Sequence, residues 1–328
     1  MGNTFGQTGG TQEVPHALEP NVTHGPKTPV HRRLRVFRNG ILPLYTGLFV
    51  VVFSGTLVGL MKYALHKDHS RYNSYIVLIP LIAGYLLYAK REQIQVNGRF
   101  SFLYGVPVIL AGLLLYSVGS ITEYRLNETD TLSLKMLAVI ICWIGGFLLL
   151  FGPKSLRVVL FPLFFLLFLV PIPTVLMKKA LQLLQVATTE VTYRMFHLTG
   201  IPTMRDGFVF YLPSVSIEIA EDCSGMRATL TLFIISVLAG HLFFRHTWRK
   251  GVLILSTFPI TVLGNALRIV GLTLLAMYID MNFLESKSLP HLRGGWFFFL
   301  VDLVVLGGIA AVLKRHENYG DGKGIPFR

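Results

Sequence analysis

Long runs of apolar residues recur along the chain and constrain its fold more than any other feature. A helix needs roughly 20 mostly apolar residues to cross a hydrocarbon core of about 30 Å. Of the 328 residues, 52% are hydrophobic and only 14% are charged, which is far from the balance of soluble proteins. We therefore predict an all-α integral membrane protein with about eight transmembrane helices. The predicted spans are Ile41–Lys62, Ser74–Ala89, Phe102–Ile121, Leu132–Phe151, Leu156–Val170, Met226–Phe244, Val252–Tyr278 and Gly295–Leu313.

Basic residues predict the orientation of these spans, because Lys and Arg accumulate in cytoplasmic loops. Basic clusters precede the first span and follow the second, fourth, sixth and eighth, so they all fall on one side. The opposite loop at 123–130 is net acidic. Both termini are therefore expected in the cytoplasm. The net charge of +13 is explained by these loops, so we expect the lipid bilayer as a partner and no nucleic acid.

The spans divide the chain into three predicted segments. Residues 1–39 form a polar cytoplasmic segment that we expect to be disordered, and no apolar core of a cleavable signal peptide follows an early basic cluster there. Residues 40–313 form the polytopic membrane domain. Residues 314–328 form a cytoplasmic tail.

The longest segment between predicted spans runs from Pro171 to about Asp222 and is expected on the extracytoplasmic side. Within Thr174–Leu198, polar residues recur every three or four positions, which predicts an amphipathic helix lying in the interface; a ninth, poorly apolar span is the alternative. Phe208–Leu212 and Val215–Ile219 flank a turn at Pro213-Ser214, and the second of them alternates apolar and polar residues. This pattern predicts a small β-hairpin.

Cys223 follows the hairpin directly, in Glu221-Asp-Cys-Ser-Gly-Met-Arg227, where the chain turns into a predicted spanning helix. The N-terminus of a helix favours an anion and so raises the thiolate fraction of a nearby thiol. Arg227 can add positive potential, whereas Glu221 and Asp222 oppose it. A cysteine packed as a small hydrophobe is the alternative. Cys142 lies in mid-span, so no disulfide is indicated.

Arg268 lies within Leu263-Gly-Asn-Ala-Leu-Arg-Ile-Val270, well inside an otherwise apolar span. A guanidinium at the centre of a membrane costs at least about 2.5 to 3.5 kcal/mol on insertion scales. We therefore expect this side chain to face a cavity or a partner. A purely structural pair with an acidic side chain, which would lock the bundle, is the alternative.

His291 lies in Leu289-Pro-His-Leu-Arg-Gly-Gly-Trp296, just before the last span and on the same predicted side as Cys223. An imidazole there can take a thiol's proton and later protonate a leaving amine. An interfacial turn residue is the alternative. Arg293 is expected to anchor the chain at lipid headgroups.

Taken together, these motifs resemble those of the exosortase/archaeosortase family, in the same order and with similar spacing. The resemblance covers roughly residues 40 to 313. The motifs that carry it are Asn73-Ser-Tyr, Gly200-Ile-Pro, Arg205-Asp-Gly207, Cys223-Ser-Gly-Met-Arg227, Asn265-Ala-Leu-Arg268 and His291 with Gly295-Trp296.

The resemblance implies a membrane-embedded cysteine transpeptidase in the cytoplasmic (inner) membrane of a prokaryote, with its active site facing outward. Cys223 would form a thioester, Arg268 would stabilise the oxyanion, and His291 would act as general base and acid. Arg227 is a supporting candidate. The implied partners are membrane-anchored proteins with C-terminal sorting signals of the PEP-CTERM type, and an acceptor amine or lipid headgroup. No cofactor is implied.

Two other functions remain open on the sequence. An intramembrane cysteine protease would use the same residues to hydrolyse without transfer, and a transporter would use Arg268 while Cys223 played no part. Metal catalysis is poorly supported, because the one tight cluster of ligand-type residues is His66, Asp68 and His69, which is too small a set. We expect no metal site.

Overall fold

Ten α-helices and three short β-strands make up the described part of the chain. The computed structural model describes Gly2 and residues 43–65, 74–94, 101–221, 225–279 and 289–320, and it does not describe the side chains of Ser74, 289–294 and 318–320. The helices are α1 Pro43–Val52, α2 Ser54–Leu65, α3 Leu78–Ala89, α4 Phe102–Ile121, α5 Glu128–Val158, α6 Leu160–Phe165, α7 Thr174–Leu198, α8 Met226–Phe243, α9 Thr247–Tyr278 and α10 Leu289–Gly320. The strands are β1 Met204–Asp206, β2 Val209–Tyr211 and β3 Ser216–Glu218.

Five of the described helices are long and apolar enough to span a membrane, or up to seven spans if two bent pairs each count as one. The predicted count of about eight is therefore not confirmed by the part of the chain that the structure describes. One predicted span, Ser74–Ala89, forms only a short helix and a 3-10 turn. Another, Leu156–Val170, begins in the last turn of α5 and continues as a short helical segment, Leu160–Leu169, that meets α7 at an angle of 87°. Hydropathy alone does not register such bends.

Helices α4 and α5 pack closely against each other, through glycines on their facing sides. Gly105, Gly112 and Gly119 recur every seven residues on α4, and all three are buried. A Cβ atom at Gly105 would lie 2.6 Å from the Cα of Leu149, and one at Gly112 would lie 2.9 Å from the backbone nitrogen of Cys142. Small residues allow such approach of backbones in a membrane, where helix association depends on packing. Cys142 is thus a buried packing residue.

Helix α7 buries one face, which includes Leu184, Thr188 and Phe196, and leaves the other face exposed. Its first residue is held by a hydrogen bond of 2.6 Å from the Thr174 backbone N–H to Asp130 Oδ1 at the start of α5. Where the sequence predicts one hairpin, the structure has three antiparallel strands in the order β1-β2-β3. Phe210 and Ile217 of the sheet pack with α7 and with the last turns of α9.

Helices α8, α9 and α10 pack antiparallel to their chain neighbours and have two distinct ends. We name the end next to the strands the sheet end, and the end that bears Arg245, Lys250 and Lys314 the basic end. At the basic end the Glu317 carboxylate is buried and accepts hydrogen bonds from the Arg245 backbone N–H and from Lys314 Nζ, both 3.0 Å long. Glu317 therefore ties α10 to the connection between α8 and α9.

Replacing Gly112 with Ala is expected to destabilise the protein by about 1–3 kcal/mol, because the new methyl group would meet the α5 backbone at Cys142. Gly84→Ala is the matched control, since a Cβ atom there meets nothing within 4 Å and the better helix propensity of Ala should leave stability equal or higher. Thermal unfolding midpoints in detergent measure both. Equal midpoints for the two variants would contradict the proposed glycine contact.

Candidate active site

The register of α8 against α9 brings two of the sequence motifs into contact. The Thr229 hydroxyl donates a hydrogen bond of 3.1 Å to the Thr261 hydroxyl. One turn closer to the sheet end, Gly225 lies against the side chain of Asn265. The segment that carries Cys223 and the segment that carries Arg268 are therefore neighbours where α8 begins.

Gly225 itself is required by this contact for two reasons. Its φ of +79° lies in the left-handed region, which residues with a side chain rarely adopt. A Cβ atom would also lie 3.2 Å from Cγ of Asn265, which is only 7% exposed. The backbone turn that follows Cys223 is thus fitted onto the Asn265 amide.

Arg268 lies one turn beyond Gly264 and Asn265 on α9, and it faces α10. The carbon and one nitrogen of its guanidinium lie 4.0 Å from the position of a Cβ on Gly295. The side chain is half-buried, and no hydrogen bond or ion pair links it to another residue that the structure describes. It is therefore a charged donor whose N–H groups no described residue occupies.

The lengths of α8 and α9 show where Arg268 lies along its helix. Helix α8 has 18 residues, which corresponds to a length of about 27 Å and nearly covers a hydrocarbon core. Because Gly225 at its start contacts Asn265, Arg268 lies at the level of the sheet end of α8. Helix α9 has 32 residues, so its last turns extend beyond the start of α8.

The other predicted site residues are described only in part. Cys223 lies outside the described residues, two positions before Gly225. His291 falls in the first turn of α10, four residues before Gly295, and its side chain is likewise not described. Arg227 is exposed in the first turn of α8. The cluster of His66, Asp68 and His69 also lies outside the described residues.

The β-sheet precedes the Cys223 segment in the chain and is attached to α7. The Ile219 carbonyl, just after β3, accepts a hydrogen bond of 2.7 Å from the Gln185 side chain of α7. Arg205 of β1 forms a 3.0 Å ion pair with Glu190 of α7 and also donates to the Gly207 carbonyl. The Arg205-Asp-Gly207 motif thus attaches the sheet to α7.

Two buried polar residues next to these helix contacts received no role in the sequence analysis. Asn265 was noted only as part of a motif, and its packing on Gly225 depends on a contact between helices. Asp302 of α10 was missed, although it is the single charged residue of the 295–313 span. A lone charge in a span is itself a signal of function.

Comparison with known families identifies the family of the chain. The model of the transmembrane exosortase family matches residues 67–308, which is well over half of the chain and includes Cys223, Arg268 and His291. No curated protein and no solved structure gives a significant match. The match confirms the resemblance found in the sequence motifs. The chain belongs to the transmembrane exosortase family.

Proposed function

We propose that this protein cleaves C-terminal protein-sorting signals and transfers the cleaved protein to a second nucleophile through a thioester on Cys223. The observation that carries this proposal is the meeting of three segments at one level of the bundle. Gly225, two residues after Cys223, contacts α9 at Asn265, and Arg268 on the next turn contacts α10 at Gly295, one turn after His291. A thiol, a guanidinium and an imidazole brought together there would suffice for acyl transfer.

In the first half-reaction the Cys223 thiol loses its proton to the His291 imidazole, and the sulfur attacks a peptide carbonyl carbon of the sorting signal. The carbonyl oxygen becomes an oxyanion. Arg268 donates hydrogen bonds to it, because its N–H groups are not engaged by any described residue. The C–N bond then breaks, and the imidazolium returns the proton to the leaving amine.

In the second half-reaction an amine or a lipid-headgroup hydroxyl attacks the thioester carbon. His291 takes the proton of the incoming nucleophile, the C–S bond breaks, and the Cys223 sulfur is protonated again. A new amide or ester joins the protein to its acceptor. The enzyme is regenerated without a cofactor.

The free edge of β3 offers a way to align an extended substrate. The Leu212 N–H donates to the Val215 carbonyl, and the Ile219 N–H donates to the Phe208 carbonyl. Backbone groups alternate in direction along a strand, so those of Ser216 and Glu218 point away from β2. Within the described residues no strand covers that edge. A peptide added there as a fourth strand would run along the segment that leads to Cys223.

The placement of basic residues favours an outward-facing site. Arg245, Lys250 and Lys314 lie at the end of the bundle opposite Arg268, and basic residues are retained in the cytoplasm. The sheet end, with the proposed catalytic residues, then faces the extracytoplasmic side. This is the side on which a sorting signal presents the protein that precedes its transmembrane helix.

Arg268→Ala is expected to slow thioester formation by about 10²- to 10³-fold, the usual cost of losing one oxyanion donor. The assay co-reconstitutes the enzyme with a reporter that ends in a short motif, an apolar span and a basic tail. The Cys223 adduct is detected by mass spectrometry and released with hydroxylamine. Arg194→Ala is the matched control, because Arg194 is an exposed residue of α7, and it should leave the rate unchanged.

Cys223→Ala should abolish both the adduct and the product. Retained function in this variant together with loss in Arg268→Ala would instead indicate a transporter. A cleaved reporter that bears a free carboxylate, formed even when acceptor amine is in excess, would indicate a hydrolytic protease.

Glu218→Pro is expected to raise KM for the reporter by roughly 3- to 10-fold, because it removes one outward-facing N–H that would bond the substrate strand. Proline is tolerated at strand edges where its nitrogen faces solvent, so kcat should change little. Glu218→Ala keeps the N–H and should behave like the unmodified protein. If the two variants raise KM equally, the backbone edge does not bind the substrate.

A further inference from the structure

A cavity of about 980 Å³ lies among α1, α2, α3, α5 and the segment Leu160–Leu169. Its volume lies at the upper end of the range of roughly 300–1,000 Å³ that is typical of ligand sites. None of the described residues that line it belongs to the sheet or to α7, α8, α9 or α10. The cavity is therefore separate from the candidate active site, and the proposed reaction gives it no role.

The cavity is a long slot that follows the axis of the bundle. Met136 and Phe151 both line it, and they are 15 residues apart on α5, which corresponds to about 22 Å. Ile76 belongs to the same buried cluster as Met136, and Ile94 to the same cluster as Phe151. The slot thus extends over most of a hydrocarbon core of about 30 Å.

The two ends of the slot differ in chemistry. Leu60, Ile76 and Met136 make one end apolar. At the other end lies Arg91, the single charged residue among the described residues of the lining. Its guanidinium carbon lies 3.9 Å from the centre of the Tyr88 ring, and one of its N–H groups donates a 3.0 Å hydrogen bond to the Tyr88 carbonyl. These contacts hold the guanidinium at the end of the slot.

The charged end of the slot coincides with the basic end of the bundle. Lys90, next to Arg91, donates a 3.0 Å hydrogen bond from Nζ to the Val158 carbonyl at the end of α5. Phe161, on the following helix, stacks on the His241 ring with centroids 3.5 Å apart, and His241 lies in the last turn of α8. Lys90 and Arg91 therefore give this end of the slot a positive charge, which is the feature that anionic headgroups require of a pocket between membrane helices.

The slot opens sideways, toward the outer surface of the bundle. Val50, Met61 and Val77 line it and are exposed, whereas Val139 and Trp143 line it and are buried. An apolar chain can thus enter from the side and lie against buried side chains. In lipid, packing and polar contacts decide what occupies such a slot, because burial of apolar surface gives no advantage there.

We propose that the slot binds an anionic phospholipid, with the phosphate at Arg91 and one acyl chain along α5 past Trp143. Charge favours this occupant over an additional helix. The transmembrane helix of the proposed substrate carries a basic tail, which would place like charges beside Arg91 and Lys90. An anionic headgroup at the same place is attracted by both residues. The inference does not depend on the thioester reaction.

Quenching of Trp143 fluorescence tests the proposal directly. Of the three tryptophans, Trp248 and Trp296 are exposed, so both are replaced with Phe, and Trp143 remains as the single fluorophore. The full chain is reconstituted in phosphatidylcholine vesicles that contain an equal, minor fraction of phosphatidylglycerol or of phosphatidylcholine with brominated acyl chains. The anionic lipid should quench Trp143 with about fivefold higher apparent affinity, the usual contribution of one basic side chain near an anionic headgroup.

Two pairs of variants distinguish the headgroup contact from the chain contact. Arg91→Gln should remove the preference for phosphatidylglycerol, whereas Arg157→Gln, at an exposed position of the same end outside the lining, should keep it. Gly84→Phe should reduce quenching by both lipids, because Gly84 lines the slot and a Cβ atom there meets nothing within 4 Å. Gly307→Phe, at an exposed position of α10, should leave quenching unchanged. Thermal midpoints establish that each variant is folded.

Three outcomes would overturn the proposal. No quenching of Trp143 by either brominated lipid would show that no acyl chain lies in the slot. Equal quenching by the two lipids, unchanged in Arg91→Gln, would show that the slot does not select an anionic headgroup. Relief of quenching by an added peptide with an apolar span and a basic tail would identify the substrate helix as the occupant. None of these measurements involves Cys223, so they stand or fall separately from the proposed function.

Discussion

The packing of α8 on α9 is the interaction on which the rest of the candidate site depends. The Thr229–Thr261 hydrogen bond and the contact of Gly225 with Asn265 define one register for the two helices. In lipid, helices associate through such close contacts and hydrogen bonds, since burial of apolar surface gives no advantage there. A slip of one turn would move the start of α8 by about 5.4 Å relative to Arg268. The site would then lose its geometry.

Much of the fold follows from hydropathy, but its bends and its third strand do not. The long apolar helices were predictable because a continuous run of about 20 apolar residues has few other stable states. The bend between α1 and α2, 78°, leaves no trace in composition. Strand β1 was also missed, since Arg205-Asp-Gly207 has turn-forming residues, and its pairing with β2 depends on the tertiary support of α7.

A candidate site residue could be predicted where a charged residue lies in an otherwise apolar helix. Arg268 could be found because a guanidinium is unusual in an apolar helix, whatever it contacts. Asn265 could be singled out only from its contact with the start of α8, and Asp302 only from its contact with α9. A single sequence does not show which helices are in contact. The contacts among α8, α9 and α10 therefore point to residues that the sequence motifs alone did not single out.

The half-buried position of Arg268 fits the two demands of the proposed transpeptidase. A thioester must be kept from bulk water long enough for an acceptor to reach it, yet the acceptor and the extended sorting signal both come from a polar phase. A half-buried Arg268 meets both demands, because apolar helices surround it on one side and the sheet covers α9 on the other. In the proposed enzyme, an acceptor would therefore reach the thioester from the sheet end of the bundle.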